Sequence, residues 1–162
     1  MIEVAAADLS READAAALVM LLDAYARDPM GGERPLPGAV RARLVPDLRE
    51  RIADGTALVL IARSAGEPLG VAVCFYGYST FAARPLLNLH DLAVVEKARG
   101  AGVGRALLTA VENAARARGC VKLTLEVRED NARARRLYQH VGFADYTTGD
   151  KQTRTLFLER KL

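Results

Sequence analysis

The sequence predicts an α/β fold, α+β in arrangement, with a mixed, mostly antiparallel central sheet flanked by helices. Three observations predict it. Two apolar runs, residues 56–62 (TALVLIA) and 69–78, flank the turn chemistry Ser64-Ala65-Gly66-Glu67-Pro68 and make a β-hairpin. Residues 86–127 then read strand, glycine-rich turn, alanine-rich helix, strand, and a helical crossover makes those two strands parallel. Finally, 162 residues that are 51% hydrophobic and 27% charged suit one compact domain with a buried core, so residues 1–162 are expected to form a single domain.

In chain order, residues 1–4 (MIEV) read as a first or edge strand without the basic and long apolar regions of a signal peptide, which makes the cytoplasm the expected address. Residues 10–27 carry Ala13, Ala17, Leu18, Leu21, Leu22 and Tyr25 at the spacing of one helical face. Ser10 is the expected N-cap, and Pro29-Met30-Gly31-Gly32 ends the helix. A weaker helical stretch, residues 39–53, is expected to break or restart near Pro46 and to stop at Asp54-Gly55. These two helices precede the main sheet as a candidate lid. Pro85 opens a strand over residues 86–95, and the helix after the glycine-rich turn runs to Arg118 and ends at Gly119. A strand over 121–127 (VKLTLEV), a short helix over 131–140 and a closing strand over 153–159 complete the chain.

Composition excludes several functions. The apolar stretches 15–22 and 57–62 fall well short of the roughly 20 residues that span a bilayer, so no membrane partner is expected. Cys74 and Cys120 stand far apart without metal-ligand spacing and read as buried free thiols; with only two histidines, no metal is expected. The net charge is +3, and Arg99, Arg105, Arg116, Arg118, Arg128, Arg133, Arg135 and Arg136 crowd the second half. No aromatic platform for bases is interleaved with them, so a small polyanionic ligand is favoured over nucleic acid.

The candidate seat for that polyanion is Arg99-Gly100-Ala101-Gly102-Val103-Gly104-Arg105, between a strand and a helix. Glycines let successive N–H groups face one concavity, and the helix adds its unsatisfied amides and positive dipole end. Arg99 and Arg105 would supply charge at the rim. A nucleoside-triphosphate loop needs Lys-Ser/Thr after its last glycine, where Arg105-Ala106 stands. A dinucleotide fingerprint needs a third glycine that is missing here, although Glu126 ends the next strand where a ribose-binding acid would lie.

A second constellation follows: Asn131, Ala134, Leu137, Tyr138, Gly142 and Phe143 within NARARRLYQHVGF. Together with Arg99, Gly102 and Gly104, it resembles the GNAT superfamily of N-acetyltransferases, whose two motifs read Arg/Gln-x-x-Gly-x-Gly/Ala and Asn-x-x-Ala-x-x-Leu/Phe-Tyr followed by Gly-Phe. The likeness covers residues 56–162 well and the N-terminal helices in outline. It implies acetyl-CoA as co-substrate and direct attack by a primary amine in a ternary complex. It implies that Tyr138 faces the sulfur and protonates the leaving thiolate, and that Asn131 contacts the pantetheine region as well as capping its helix. The amides of Leu92, Ala93 and Val94 would lie along the pantetheine arm, next to a bulge that the sequence does not locate. A homodimer is common in the family.

Deprotonating the amine calls for a base or a water relay, since an alkyl ammonium has a pKa near 10.4. His90 and Asp91 are the candidates. In a regular strand they point to opposite faces, and a bulge would exchange which of them faces substrate. Residues 79–94 resemble the diamine and thialysine acetyltransferase branch, which carries an acid where His90 stands. Tyr25, Tyr76, Tyr78 and Glu126 are candidate lining for the acceptor pocket. The acceptor itself, a small molecule or a protein amine, is left open by the residues. A non-catalytic acyl-CoA-binding or sensing domain is the alternative from another class, with a nucleotide-cofactor oxidoreductase and an RNA-binding module behind it.

Overall fold

The computed structural model describes residues 1–145 and 156–161. They divide into two compact units, Met1–Leu125 and Glu126–Leu162.

The first unit opens with β1 (Glu3–Ala6), which pairs antiparallel with β2 (Ala57–Ser64). Between them, α1 (Glu12–Arg27) buries Ala17, Leu18, Leu21 and Leu22 on the face its apolar spacing foretells. Its N-cap is Arg11, not Ser10. The Ser10 hydroxyl and N–H both go to Asp8 Oδ1, at 2.6 and 3.0 Å, so the residue closes the preceding turn instead. Asp14, the buried polar residue of the helix, accepts the Asp8 N–H and an Arg63 N–H, each at 2.8 Å.

The second helix, α2 (Gly38–Ala53), runs straight through Pro46, where a break was expected. Proline removes one internal hydrogen bond, but Leu48 is buried and Leu44, Val45 and Ile52 pack on the core, and that burial outweighs the missing bond.

The hairpin forms as read. β2 pairs antiparallel with β3 (Glu67–Ser79), and its turn uses positive φ at Ala65 (49°) and Gly66 (80°), the hand that suits strand twist. β4 (Arg84–Val94) pairs antiparallel with β3, and β5 (Leu123–Leu125) pairs parallel with β4, giving the order β1-β2-β3-β4-β5. The expected strand over 121–127 is thus reduced to its middle.

Alternation sorts the sheet into two faces. Val59, Ile61, Val71, Val73 and Ala93 join the core under α1 and α2. The other face carries α3 (Val103–Ala117), whose Val103, Leu107, Leu108, Val111 and Ala115 are buried. Gly70 of β3 lets this helix close on the sheet. A Cβ there would sit 2.8 Å from the Ala93 carbonyl oxygen and 3.0 Å from Val103 Cγ1.

In the second unit, α4 (Ala132–His140) starts where the sequence places it. The Asn131 side chain accepts the Ala134 N–H at 3.1 Å as N-cap. Of the expected strand over 153–159, residues 153–155 lie outside the described residues. Leu156, Phe157, Leu158 and Glu159 are exposed and are in no strand. Among the described residues, no helix is long and apolar enough to cross a membrane.

Candidate active site

The glycine-rich segment builds a turn with open donors. A 3-10 turn, Glu96–Ala98, leads from β4 into it, and the chain then passes Gly100 (φ 80°) and Gly102 (φ 88°) before α3 begins at Val103. Gly102 is the N-cap and has no side chain to cap the first amides of the helix, which lack intrahelical partners by geometry. A Cβ at Gly100 or Gly102 would meet nothing within 4 Å, so the turn presents bare backbone to open space. Uncapped amides at the positive end of a helix favour phosphate. Gly104 and Arg105 lie in the first turn of α3, with Arg105 exposed, and Ala101 donates its N–H to Ala98 at 3.3 Å.

Arg99 sits differently from the expectation of a rim charge. Its Nη2 lies 2.5 Å from Asp28 Oδ2 and its Nε donates to the Val94 carbonyl at 3.2 Å. The partner lies 71 residues away in sequence, so no local signal could have paired them.

β4 supplies the second element. Its pairing with β5 covers only Leu87, Asn88 and Leu89, reinforced by Asn88 Nδ2 donating to Thr124 Oγ1 at 3.1 Å. From residue 90 to 94 the strand keeps β3 on one edge, and no strand among the described residues pairs with the other. Leu92 and Val94 therefore present backbone groups along a free edge that leads to the glycine-rich turn, while Ala93, in register with Val71 two residues from the Val95–Leu69 bond, turns its backbone groups toward β3.

A bulge at His90 coincides with the end of the pairing between β4 and β5. Cys74 pairs with Leu89 and the next residue back on β3, Val73, pairs with Asp91, so His90 is the extra residue. It falls directly after the last rung to β5, a place where a bulge can end pairing. The bulge does not exchange His90 for Asp91. The His90 ring sits edge-on to Phe75, centroids 5.3 Å apart, and Asp91 shares a face with its cross-strand partner Val73. Both therefore belong to the α1/α2 side.

Burial pushes the Asp91 carboxyl above its ordinary range, with the neighbouring His90 charge opposing. Burial likewise pushes the Cys74 thiol up to about 12, with the Asp91 charge adding, which leaves it an inert thiol at neutral pH. Cys74 and Cys120 are both free.

Of the four expected pocket residues, the three tyrosines, all in the first unit, do not share one face of its sheet. Tyr25 packs on the core under α1 and α2. Tyr76 is on the α3 face, with the Arg118 guanidinium 3.8 Å from its ring centre, and Tyr78, two residues on, is 62% exposed on that same face. Glu126 begins the second unit and is exposed. In that unit Tyr138 is buried and meets Phe143 edge-on, centroids 5.8 Å apart, which accounts for the Tyr and Gly-Phe spacing of the motif. Sequence reasoning passed over Phe75 and Asp28. Phe75 was legible only as a strand residue, and Asp28 only as a polar residue before Pro29.

Comparison with known proteins agrees with this arrangement. The chain is 31% identical over 138 residues to YhfO of Bacillus subtilis (strain 168), an uncharacterized N-acetyltransferase, covering 85% of this chain and 89% of that protein. It is 36% identical over 95 residues to the thialysine N-epsilon-acetyltransferase of Bos taurus, 56% of this chain and 55% of that one. A solved structure from Arthrobacter sp. FB24 shares the fold at a TM-score of 0.81 and 28% identity, covering 99% of this chain and 96% of that one. Residues 18–143 match the profile of the Acetyltransferase (GNAT) family, and the chain belongs to that family.

Proposed function

We propose that this enzyme carries the acetyl group of acetyl-CoA to a primary amine by direct attack within a ternary complex. One observation carries the reading: the free edge of β4 over residues 90–94 runs into a turn of bare backbone at the N-terminus of α3. An extended amide-bearing arm ending in a pyrophosphate matches such an edge and seat in kind. On this reading the edge amides of Leu92 and Val94 receive the pantetheine arm, with Ala93 between them. The amides of the turn, with Arg105 beside them, receive the pyrophosphate.

The amine attacks the thioester carbonyl; a C–N bond forms and the C–S bond breaks. The ammonium proton leaves to Asp91 or His90, directly or through water, and the thiolate takes a proton from the Tyr138 hydroxyl. A carboxyl held up by burial suits the base, because its pKa moves toward working pH. Asn131 is assigned to the pantetheine region through the family motif. The family match crosses both compact units, which supports one functional domain over residues 1–162. The bovine relative makes a lysine-like or diamine-like amine the first acceptor class to try, with His90 as the departure that would alter its selection. Two free thiols fit a cytoplasmic address, and a homodimer belongs to the same family reading.

The test is thiol release from acetyl-CoA across small diamines, lysine analogues, aminoglycosides and peptide N-termini. Amine-dependent release is expected, and Tyr138→Phe should lower turnover about a hundredfold while leaving acetyl-CoA affinity nearly unchanged. Tight CoA binding without transfer to any amine would replace this reading with a binding domain.

A further inference from the structure

Asp28 lies where α1 ends, and its side chain bonds two described partners. Oδ1 accepts the Met30 N–H at 2.9 Å, and Oδ2 meets Arg99 Nη2 at 2.5 Å. Its carbonyl accepts the Gly31 N–H at 2.8 Å, so the residue organises the start of the connection between α1 and α2. Arg99 in turn reaches the Val94 carbonyl, at the last residue of β4. The pair is largely sheltered, with side chains 27% and 11% exposed, so salt screens it less than a surface pair. Bonded this way, the Arg99 guanidinium spans a helix end and a strand end and is turned toward protein partners on both sides.

We propose that Asp28 and Arg99 are joint positioning residues for the acyl-CoA arm, and that Arg99 is not a phosphate ligand. The pair fastens the α1–α2 connection to the free edge of β4 and so holds residues 92–94 and the following turn in place. This inference rests on the acetyl-CoA reading above. It leaves the phosphate charge to Arg105 and the backbone amides.

Two ligands separate the roles, because acetyl-pantetheine has the thioester arm and lacks the pyrophosphate. Arg99→Gln and Asp28→Asn are compared with the wild-type chain in calorimetric binding of CoA and of acetyl-pantetheine. Asp28→Asn keeps an acceptor for the Met30 N–H and removes the charge facing Arg99. Each variant is expected to weaken both ligands by the same factor, about tenfold for the loss of one charge-assisted bond. The double variant should be no weaker than either single one. A loss confined to CoA in Arg99→Gln would make Arg99 a phosphate ligand and overturn the proposal. Tighter CoA binding in Asp28→Asn would overturn it too, since it would mean that Asp28 withholds Arg99 from phosphate. Unchanged affinities for both ligands would reduce the pair to a stability element. Failure of the wild-type chain to bind CoA at all would sink the acetyl-CoA reading first, and this inference with it.

Discussion

Asp91 shows how one inserted residue reshapes a site. Were β4 regular, either His90 or Asp91 would face α3; the bulge puts both on the side of Phe75 and Val73, and burial raises the Asp91 carboxyl. A carboxyl whose folded pKa lies above its unfolded value favours folding while protonated. That contribution is complete below the ordinary value of 3.8 and is lost as pH rises through the raised folded value. Asp91→Asn should therefore raise the melting temperature at neutral pH, and the gain should vanish below that ordinary value. Thermal melts across pH test this, and equal melting temperatures at neutral pH would mean that the carboxyl is well solvated. If Asp91 is the base, the same variant should lower turnover about a hundredfold and remove an acidic limb lying above the usual carboxylate range.

At the scale of elements, α3 has two tasks that meet at its first turn. Its buried face docks on the sheet through Val103 and Leu107, and its uncapped N-terminus faces outward at Gly102. Gly70 is what allows the close approach, with the Ala93 carbonyl and Val103 both at or within 3.0 Å of any added Cβ. Gly70→Ala should cost about 1–3 kcal/mol, because backbone on one side and a packed valine on the other leave no cheap relief. Urea unfolding measures that cost. Gly102→Val acts at the other end of the same turn. A β-branched residue is strained at φ 88°, and its side chain would enter the space the turn leaves open. CoA binding should fall at least about tenfold by calorimetry, out of proportion to any loss of stability. Retained binding would count against the turn as the phosphate seat.

On the scale of the first unit, the sheet is sandwiched between two cores: the α1/α2 side carries His90 and Asp91, and the α3 side carries the helix whose N-cap is Gly102. Leu18 and Leu107 are both fully buried, on the α1/α2 side and the α3 side respectively. Replacing either by alanine should cost about 2–5 kcal/mol in urea unfolding. Leu107→Ala should mainly weaken CoA binding, and Leu18→Ala should mainly raise the KM for the amine. Equal effects on both ligands would show that the two faces do not act separately.

What the sequence by itself determined is every feature carried by local spacing. The 3.6-residue face of α1, the hairpin turn at Ala65-Gly66, the strand–turn–helix around Gly102 and the Asn131 cap need only neighbours a few residues away. The same locality made both family motifs readable, because their residues serve one turn and one short helix. Tertiary structure alone decided the rest. The bulge at His90 depends on how β4 aligns with β3, and the short β5 on how far a distant segment pairs with β4. Pro46 stays helical because α2 has a core to pack on. Arg99, readable in sequence as a cation beside glycines, is engaged by an aspartate 71 residues away, through a fold that brings a helix end against a strand end. Spacing reports which groups share a local element; which charge meets which is settled only when distant elements pack and desolvate one another.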